Sequence, residues 1–379
     1  MTTDAQQTTT AAAMDGEQRY DVVIIGGGAA GLSGALTLAR ARRSVLVIDA
    51  GQPRNAPADG IHGYLGREGT PPGELLAAGR AEVTGYGGEI VSGTAATAER
   101  RPGGEFRVVL ADGTAVLGAR LLVTTGLVDE LPTVPGVAER WGREVLHCPY
   151  CHGWEVRDQR IGILGTGPLA VHQALMWRQW SSRITLFLHT APEPGAEEYE
   201  KLAARDIAVV TGEVSGLVTG ADRLSGDRPS GDRPSDGPPS GDRPFDDRLS
   251  GVRMADGREV ACQALVIAPR FTARSGILAG LGLEITDQEM NGHVLGSYVA
   301  ADPLGATAVP GVWVAGNVTT LFEQVIGSAA AGVRAGSAIN ADLTTEDTDR
   351  AVAARRAPFS PHVEREVCER VLGDRRHGL

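Results

Sequence analysis

Cysteine is scarce in this chain, with four in 379 residues, so no disulfide framework can hold it together. Basic residues are outnumbered, 36 Lys and Arg against 47 Asp and Glu, for a formal charge of -11. That balance argues against a nucleic-acid or anionic-membrane surface, where Lys and Arg have to dominate. No apolar run approaches the roughly 20 residues that span a bilayer. Nor does the amino end carry an export signal: Met1 to Gln18 is polar, Thr/Ala-rich and lacks a basic n-region. The expectation is a cytoplasmic protein with no nucleic-acid or membrane partner. Its length suits two domains of ordinary size.

Glycine, by contrast, is plentiful and organised. In "YDVVIIGGGAAGLSGALTLARARRSVLVIDAG" a buried-strand run, Val22 to Ile25, meets a glycine turn. A helix from Ala29 to Arg40 and a second strand, Val45 to Ile48, follow, ending in Asp49. Gly26, Gly28 and Gly31 stand at the G-x-G-x-x-G spacing. The first permits the tight turn, the second lets backbone approach a pyrophosphate, and the third lets helix pack on strand. Asp49, eighteen residues past Gly31, is placed to accept hydrogen bonds from ribose hydroxyls.

A second copy runs through "RIGILGTGPLAVHQALMWRQWSSRITLFLHT", with Gly165, Gly167 and Ala170 at the same spacing. Its second strand, Ile184 to Leu188, ends at His189 and Thr190, with no acid for a ribose and no arginine pair for a 2′-phosphate. The shape is a nucleotide unit; the ligand is less well supported. Leu121 to Gly136 reads as a strand and a Gly/Pro crossover, and Gly311 to Thr320 as a short strand before a small-residue helix, Gln324 to Asn340. The fold class expected is α/β, with two Rossmann-like (βαβ) nucleotide-binding domains, the second inserted into the first. Asp222 to Gly251 repeats a Gly-Asp-Arg-Pro-Ser unit and reads as a mobile loop. In the tail, Val363, Val367, Val371 and Leu372 recur at helical spacing.

"HCPYCHGWE", His147 to Glu155, fits three chemistries: haem attachment, half a zinc site, or a redox dithiol. Haem attachment belongs outside the cytoplasm. Structural zinc needs about four ligands, and Cys262 and Cys368 stand singly, as core or interface residues. A C-x-x-C beside a βαβ unit is the redox pair. If Cys148 opens a helical turn, its thiolate is favoured by unpaired N–H groups. His147 and His152 flank the pair as candidate proton carriers, with His152 ahead because it adjoins the reacting sulfur.

Taken together, Gly26 to Gly31, the Thr124-Thr125-Gly126 turn, Cys148 to Cys151 and "VAGNV" resemble the low-molecular-weight thioredoxin reductase family over residues 19 to 342. The resemblance implies a homodimer, with FAD bound by Gly26, Gly28, Ala29, Ala30, Gly31, Asp49, Ala50, Arg54, Asn55, Thr125, Gly126, Gly316, Asn317, Gln324 and Val325. It makes Cys151 the sulfur nearest the flavin and Cys148 the exchanging one. It divides the chain into a disordered leader (1–18), an FAD domain in two parts (19–138 and 264–345), an inserted NAD(P)-like domain (139–263) and a tail helix (346–379). Three departures stand out: His152 and Asn317 replace aspartates, and "LHTAPEP" lacks the arginines that hold the NADPH 2′-phosphate. NADPH is therefore a doubtful ligand. With FAD and the dithiol retained, the chain resembles the dithiol oxidases of gliotoxin and holomycin biosynthesis. These close a disulfide in a small-molecule dithiol and pass electrons through FAD to oxygen, giving hydrogen peroxide. An NADPH-dependent thioredoxin or disulfide reductase is the alternative, and a flavin-binding sensor without turnover a third reading.

Overall fold

The structure is a computed structural model that describes residues 17–220, 247–290, 292–356 and 361–372. The first sheet grows from the most apolar runs of the chain. Gln18–Ile25 lies between Val45–Asp49 and Ala115–Val123, parallel to both, with Ile25 beside Ile48 and Val123. Val22, Val23, Ile24, Leu121, Leu122 and Val123 are each 0 % exposed. Such runs are covered on both faces, which is why they show no alternation. Glu89–Ser92 extends the sheet on one side. On the other side, Ala115–Val123 divides its edge between two partners. Its first half pairs antiparallel with Phe106–Leu110 and its second half parallel with Val312–Val314.

The helix Ala29–Arg40 covers one face, and the helix Val325–Arg356 crosses it closely. A Cβ on Gly332 would lie 2.0 Å from the Ala30 carbonyl oxygen, and one on Gly336 would lie 2.9 Å from that of Gly34. Only glycine allows this approach. Further along, Arg120 pairs with Asp342 and Glu346, and Arg43 with Asp347, tying the helix to the sheet.

The inserted unit has its own parallel sheet, in the order Ala208–Val210, Ile184–Phe187, Ile161–Leu164, Ala264–Val266, Val145–Leu146. The expected boundary at residue 264 is thus corrected. Ala264–Val266 hydrogen-bonds between Ile161–Leu164 and Val145–Leu146, so the chain leaves this unit only after it. The outgoing strand Leu127–Glu130 and the returning strand Arg270–Ala273 then pair antiparallel, Leu127 against Ala273. Both connections between the units therefore run in one ribbon beside the site.

Other expectations also shift. Gln18, assigned to the leader, opens the first strand; residues 1–16 lie outside the described residues. Most of the 222–251 repeat, residues 222–246, lies outside them as well. Its last residues belong to Leu249–Met254, which pairs antiparallel with Val214–Thr219. Of the tail, residues 346–356 continue the helix Val325–Arg356 and Pro361–Leu372 is helical; residues 357–360 and 373–379 lie outside the described residues. Ala, Thr and charged residues carry the first helix beyond Asn340 because nothing there breaks it.

Candidate functional site

The glycine turn is built as its spacing requires. Gly26 has φ +110°, and a Cβ there would strike the Thr124 carbonyl oxygen at 2.5 Å. Gly31 is closed by Gly26 itself, whose carbonyl oxygen lies 1.9 Å from the position of an added Cβ. Gly28 differs: nothing lies within 4 Å of its missing Cβ, and it lines a cavity of about 1210 Å³. It also precedes the helix Ala29–Arg40, whose start has no side-chain cap and no acidic residue in its first turn. The result is an anion seat, with helix N–H groups and the dipole directed at open space.

Asp49 lines the same cavity. Its Oδ2 accepts from Arg80 at 2.6 Å and its Oδ1 from the Gly51 N–H at 3.1 Å. Burial alone would raise its pKa, but the Arg80 guanidinium and the Gly51 and Gly27 N–H groups together hold it below the usual carboxylate range. Arg80 carried no signal in the sequence, because it sits on a helix, Pro72–Gly85, with little amphipathic contrast.

Of the residues expected at this site, all but Gly31 line the one cavity: Gly26, Gly28, Ala29, Ala30, Asp49, Ala50, Arg54, Asn55, Thr125, Gly126, His147, Cys148, Cys151, His152, Gly316, Asn317, Gln324 and Val325. Gly31 serves helix packing instead. Asn317 donates its amide to the carbonyls of Thr320, Leu321 and Glu323 at 3.0–3.2 Å, fixing the turn that leads to Gln324. An aspartate cannot donate these bonds.

Cys148 and Cys151 are joined as a disulfide, with Cα atoms 5.3 Å apart. Cys148 stands at the start of the short helix Pro149–His152, and its carbonyl accepts from the Cys151 and His152 N–H groups at 3.2 Å. The two flanking histidines are held differently. His147 Nδ1 lies 3.2 Å from the Ile267 carbonyl, so in the neutral ring it donates there and leaves Nε2 as the acceptor. Its ring also meets Phe271 edge-on, with centroids 5.0 Å apart. Burial pushes its pKa down. Burial lowers His152 as well, against the nearby Glu155 carboxylate. Both rings are thus neutral and competent to accept a proton at neutral pH. The expectation that put His152 ahead rested on adjacency, yet His147 has the directed hydrogen bond.

Arg54 forms two hydrogen bonds with Asp129, at 2.6 and 2.7 Å, and lies 5.3 Å from the Phe271 ring centroid. It therefore joins the outgoing connecting strand to the wall beside His147. The sequence reading missed Phe271, Asp129 and His62, all of which line the cavity.

The second glycine turn faces a different space. A cavity of about 130 Å³ lies there, lined by Gly167, Pro168, Ala170, Val171, Leu188, Pro192, Glu193 and Glu198. A Cβ on Gly167 would lie 2.8 Å from Nε2 of His293, from the other unit. His189 is turned away, in the left-handed region at φ 47°, and its Nδ1 accepts from the Val214 N–H at 3.1 Å.

The residues fit a flavin dinucleotide. The open face of Gly28 would take the pyrophosphate, Asp49 with Arg80 the adenosine ribose, and the Gly316–Val325 segment the distant ring, in a cavity that the dithiol also lines. Among the described residues no cluster could hold a metal ion, and no helix is long and apolar enough to cross a membrane.

Comparison with known proteins agrees with this geometry. Residues 20–336 match the pyridine nucleotide-disulphide oxidoreductase family. Among relatives, the thioredoxin reductase tcpT of Claviceps purpurea is 30% identical over 86% of this chain and 95% of its own. The thioredoxin reductase sirT of Leptosphaeria maculans is 29% identical over 85% and 93%. Among solved structures, HlmI superposes with a TM-score of 0.77 at 42% identity, covering 91% of this chain and 98% of its own. An oxidoreductase from Agrobacterium tumefaciens gives 0.74 at 32%, covering 86% and 99%. The chain belongs to the pyridine nucleotide-disulphide oxidoreductase family, as a thioredoxin reductase-like, FAD-dependent disulfide oxidoreductase.

Proposed function

We propose that this enzyme is a dithiol oxidase: it closes an intramolecular disulfide in a small-molecule dithiol through Cys148 and Cys151 and delivers the electrons by way of FAD to oxygen, giving hydrogen peroxide. In this reading it works as a homodimer in the cytoplasm. The observation that carries it is the second glycine turn. Its cavity of about 130 Å³ is well below the roughly 300–1,000 Å³ of ordinary ligand sites. Glu193 and Glu198 line it, where a reductase would need cations for a 2′-phosphate, and His293 packs against Gly167. A space of that size and lining argues against NADPH as the electron donor, whereas the dithiol lines the same cavity as the residues expected to hold FAD.

The residues divide the work as follows. A substrate thiolate attacks Cys148, and Cys151 departs as a thiolate. The second substrate thiol then attacks the mixed disulfide and releases Cys148. His147, held by Ile267 with Nε2 free, and His152 are the groups that accept thiol protons. Phe271, Arg54 and Asp129 keep His147 in place. Bound FAD supplies the two-electron acceptor and the route to oxygen. Thiol exchange of this kind follows the thiolate fraction of the attacking group.

The second reading is an NADPH-dependent disulfide reductase, favoured by the Gly165, Gly167 and Ala170 spacing and by the likeness to the thioredoxin reductases tcpT and sirT. Anaerobic mixing of the yellow protein with NADPH or with dithiothreitol separates the two. The oxidase is bleached rapidly by the dithiol and not by NADPH; rapid bleaching by NADPH would overturn the proposal. Cys148→Ser and Cys151→Ser should each abolish turnover while the protein stays yellow.

A further inference from the structure

Oxidising a dithiol liberates protons as well as electrons, and the cavity contains an imidazole that the scheme above does not use. His62 lines it from the segment Ile61–Thr70, a loop closed on itself by hydrogen bonds of Ile61 N–H to Thr70 and Gly69 N–H to Ile61. Within that loop Glu68 holds His62 in place: one oxygen lies 2.7 Å from His62 Nδ1, and the other accepts the Gly63 N–H at 2.9 Å. With Nδ1 committed to a carboxylate, Nε2 is the free nitrogen. It faces Glu155 Oε1 at 3.7 Å. Glu155 lies three residues beyond His152, on the inserted unit, whereas His62 and Glu68 belong to the first unit. Asp59 lies near His152 as well. The side chains form a gradient of exposure, His62 at 21 %, Glu155 at 45 % and Glu68 at 65 %, from cavity to solvent.

We propose that His62 is a third acid/base group of the dithiol site, with Glu68 its positioning residue, and that with Glu155 it carries thiol protons between the cavity and solvent. The inference rests on the thiol-exchange half of the proposed function and not on where the electrons go next. The chemistry balances without another reactant. One S–S bond forms in the substrate while the Cys148–Cys151 bond breaks, and two electrons pass to the cysteine sulfurs. Two thiol protons leave the substrate, for the cysteine thiolates or for water. His62 Nε2 accepts the proton that must leave before the substrate sulfur can attack. Because Glu155 comes from the other unit, this arrangement is complete only while the dithiol is seated against the cavity.

The test follows the disulfide, not the flavin. FAD-loaded protein is mixed anaerobically with dithiothreitol, quenched with an alkylating agent at intervals, and the modified cysteines counted by mass. With His62→Gln, opening of Cys148–Cys151 should slow roughly tenfold near pH 7, less than the roughly 100- to 10,000-fold of a sole proton-transfer group because His147 and His152 remain. The deficit should shrink to about twofold near pH 10, where the dithiol is already thiolate. Glu68→Gln and Glu155→Gln should give smaller deficits that close over the same pH range. Slowing that is the same at every pH, or no slowing in His62→Gln, would overturn the proposal. Should His62→Gln fail to fold, Glu155→Gln decides alone, because its carboxylate is exposed and an unchanged rate there refutes the relay. Alkylation counts thiols whichever partner reduces FAD, so failure of the oxidase reading leaves this comparison intact.

Discussion

Gly28 and Gly31 are three residues apart in the same turn, yet an added methyl should have opposite consequences at the two positions. At Gly31 the methyl carbon would lie 1.9 Å from the Gly26 carbonyl oxygen and 2.7 Å from the Thr124 hydroxyl. Both are far inside van der Waals contact, and the first neighbour is backbone that cannot rotate aside. Overpacking of this kind costs about 1–3 kcal/mol, and the upper end applies here. Alanine's better helix propensity returns about 1 kcal/mol. The net loss of about 2 kcal/mol lowers the apparent Tm by roughly 4–8 °C. At Gly28 nothing lies within 4 Å of the methyl carbon, and its φ of -79° suits alanine, so the FAD-free protein should melt as before. The methyl would instead enter the open space proposed for the pyrophosphate. Losing one charge-assisted hydrogen bond there, about 1.5–3 kcal/mol, weakens FAD binding roughly 10- to 150-fold. Melting the FAD-free variants and titrating FAD by fluorescence quenching measures both effects. Gly28→Ala with unchanged FAD affinity would show that the pyrophosphate lies elsewhere. Gly31→Ala with an unchanged Tm would show that the turn yields where the geometry says it cannot.

Two further predictions concern titration and thiols. His147 and His152 have folded pKa values lowered by burial, so the unfolded chain takes up protons first as pH falls. Their contribution to stability is full above the unfolded value of about 6.5 and is lost below it. Asp49, lowered against 3.8, loses its contribution only in a separate, more acid window. Apparent Tm between pH 7.5 and 5 should therefore fall, and His152→Gln should flatten that slope; an unchanged slope refutes the assignment. Native protein treated with iodoacetamide should be labelled at exposed Cys368 and not at Cys262, whose thiol burial pushes up to about 12. Labelling of Cys262 before unfolding would contradict its place in the core.

The fold was legible where local chemistry decides it. The first βαβ unit could be read because Gly26, Gly28 and Gly31 each meet a steric demand, and the Cys148–Cys151 pair because a C-x-x-C has few uses. What could not be read was created by tertiary contact. Arg80 reaches Asp49 from another helix, Phe271 reaches His147 from the returning strand, and Glu68 turns His62 within a loop of no regular period. His152 was ranked by proximity in sequence, and nothing local showed that the ring of His147 would be held by the carbonyl of Ile267, more than a hundred residues away. The same holds for the end of the inserted unit. Ala264–Val266 is an apolar run that either sheet could have taken, and only its ladder decides.

The divided edge of Ala115–Val123 also sets an order of assembly during synthesis. Val312–Val314, which must pair with Leu121–Val123, leaves the ribosome nearly two hundred residues after its partner. Until then the first sheet has a bare parallel edge beside the glycine turn, and the helix that seats Gly332 on Ala30 does not yet exist. The inserted unit, whose strands lie between Val145 and Val266, is complete well before that. Domains generally fold as units as they emerge, so the dithiol's own unit can form before its cofactor has a place to bind. Until the last third of the chain closes the sheet, Cys148 and Cys151 therefore have no complete FAD site beside them with which to exchange electrons.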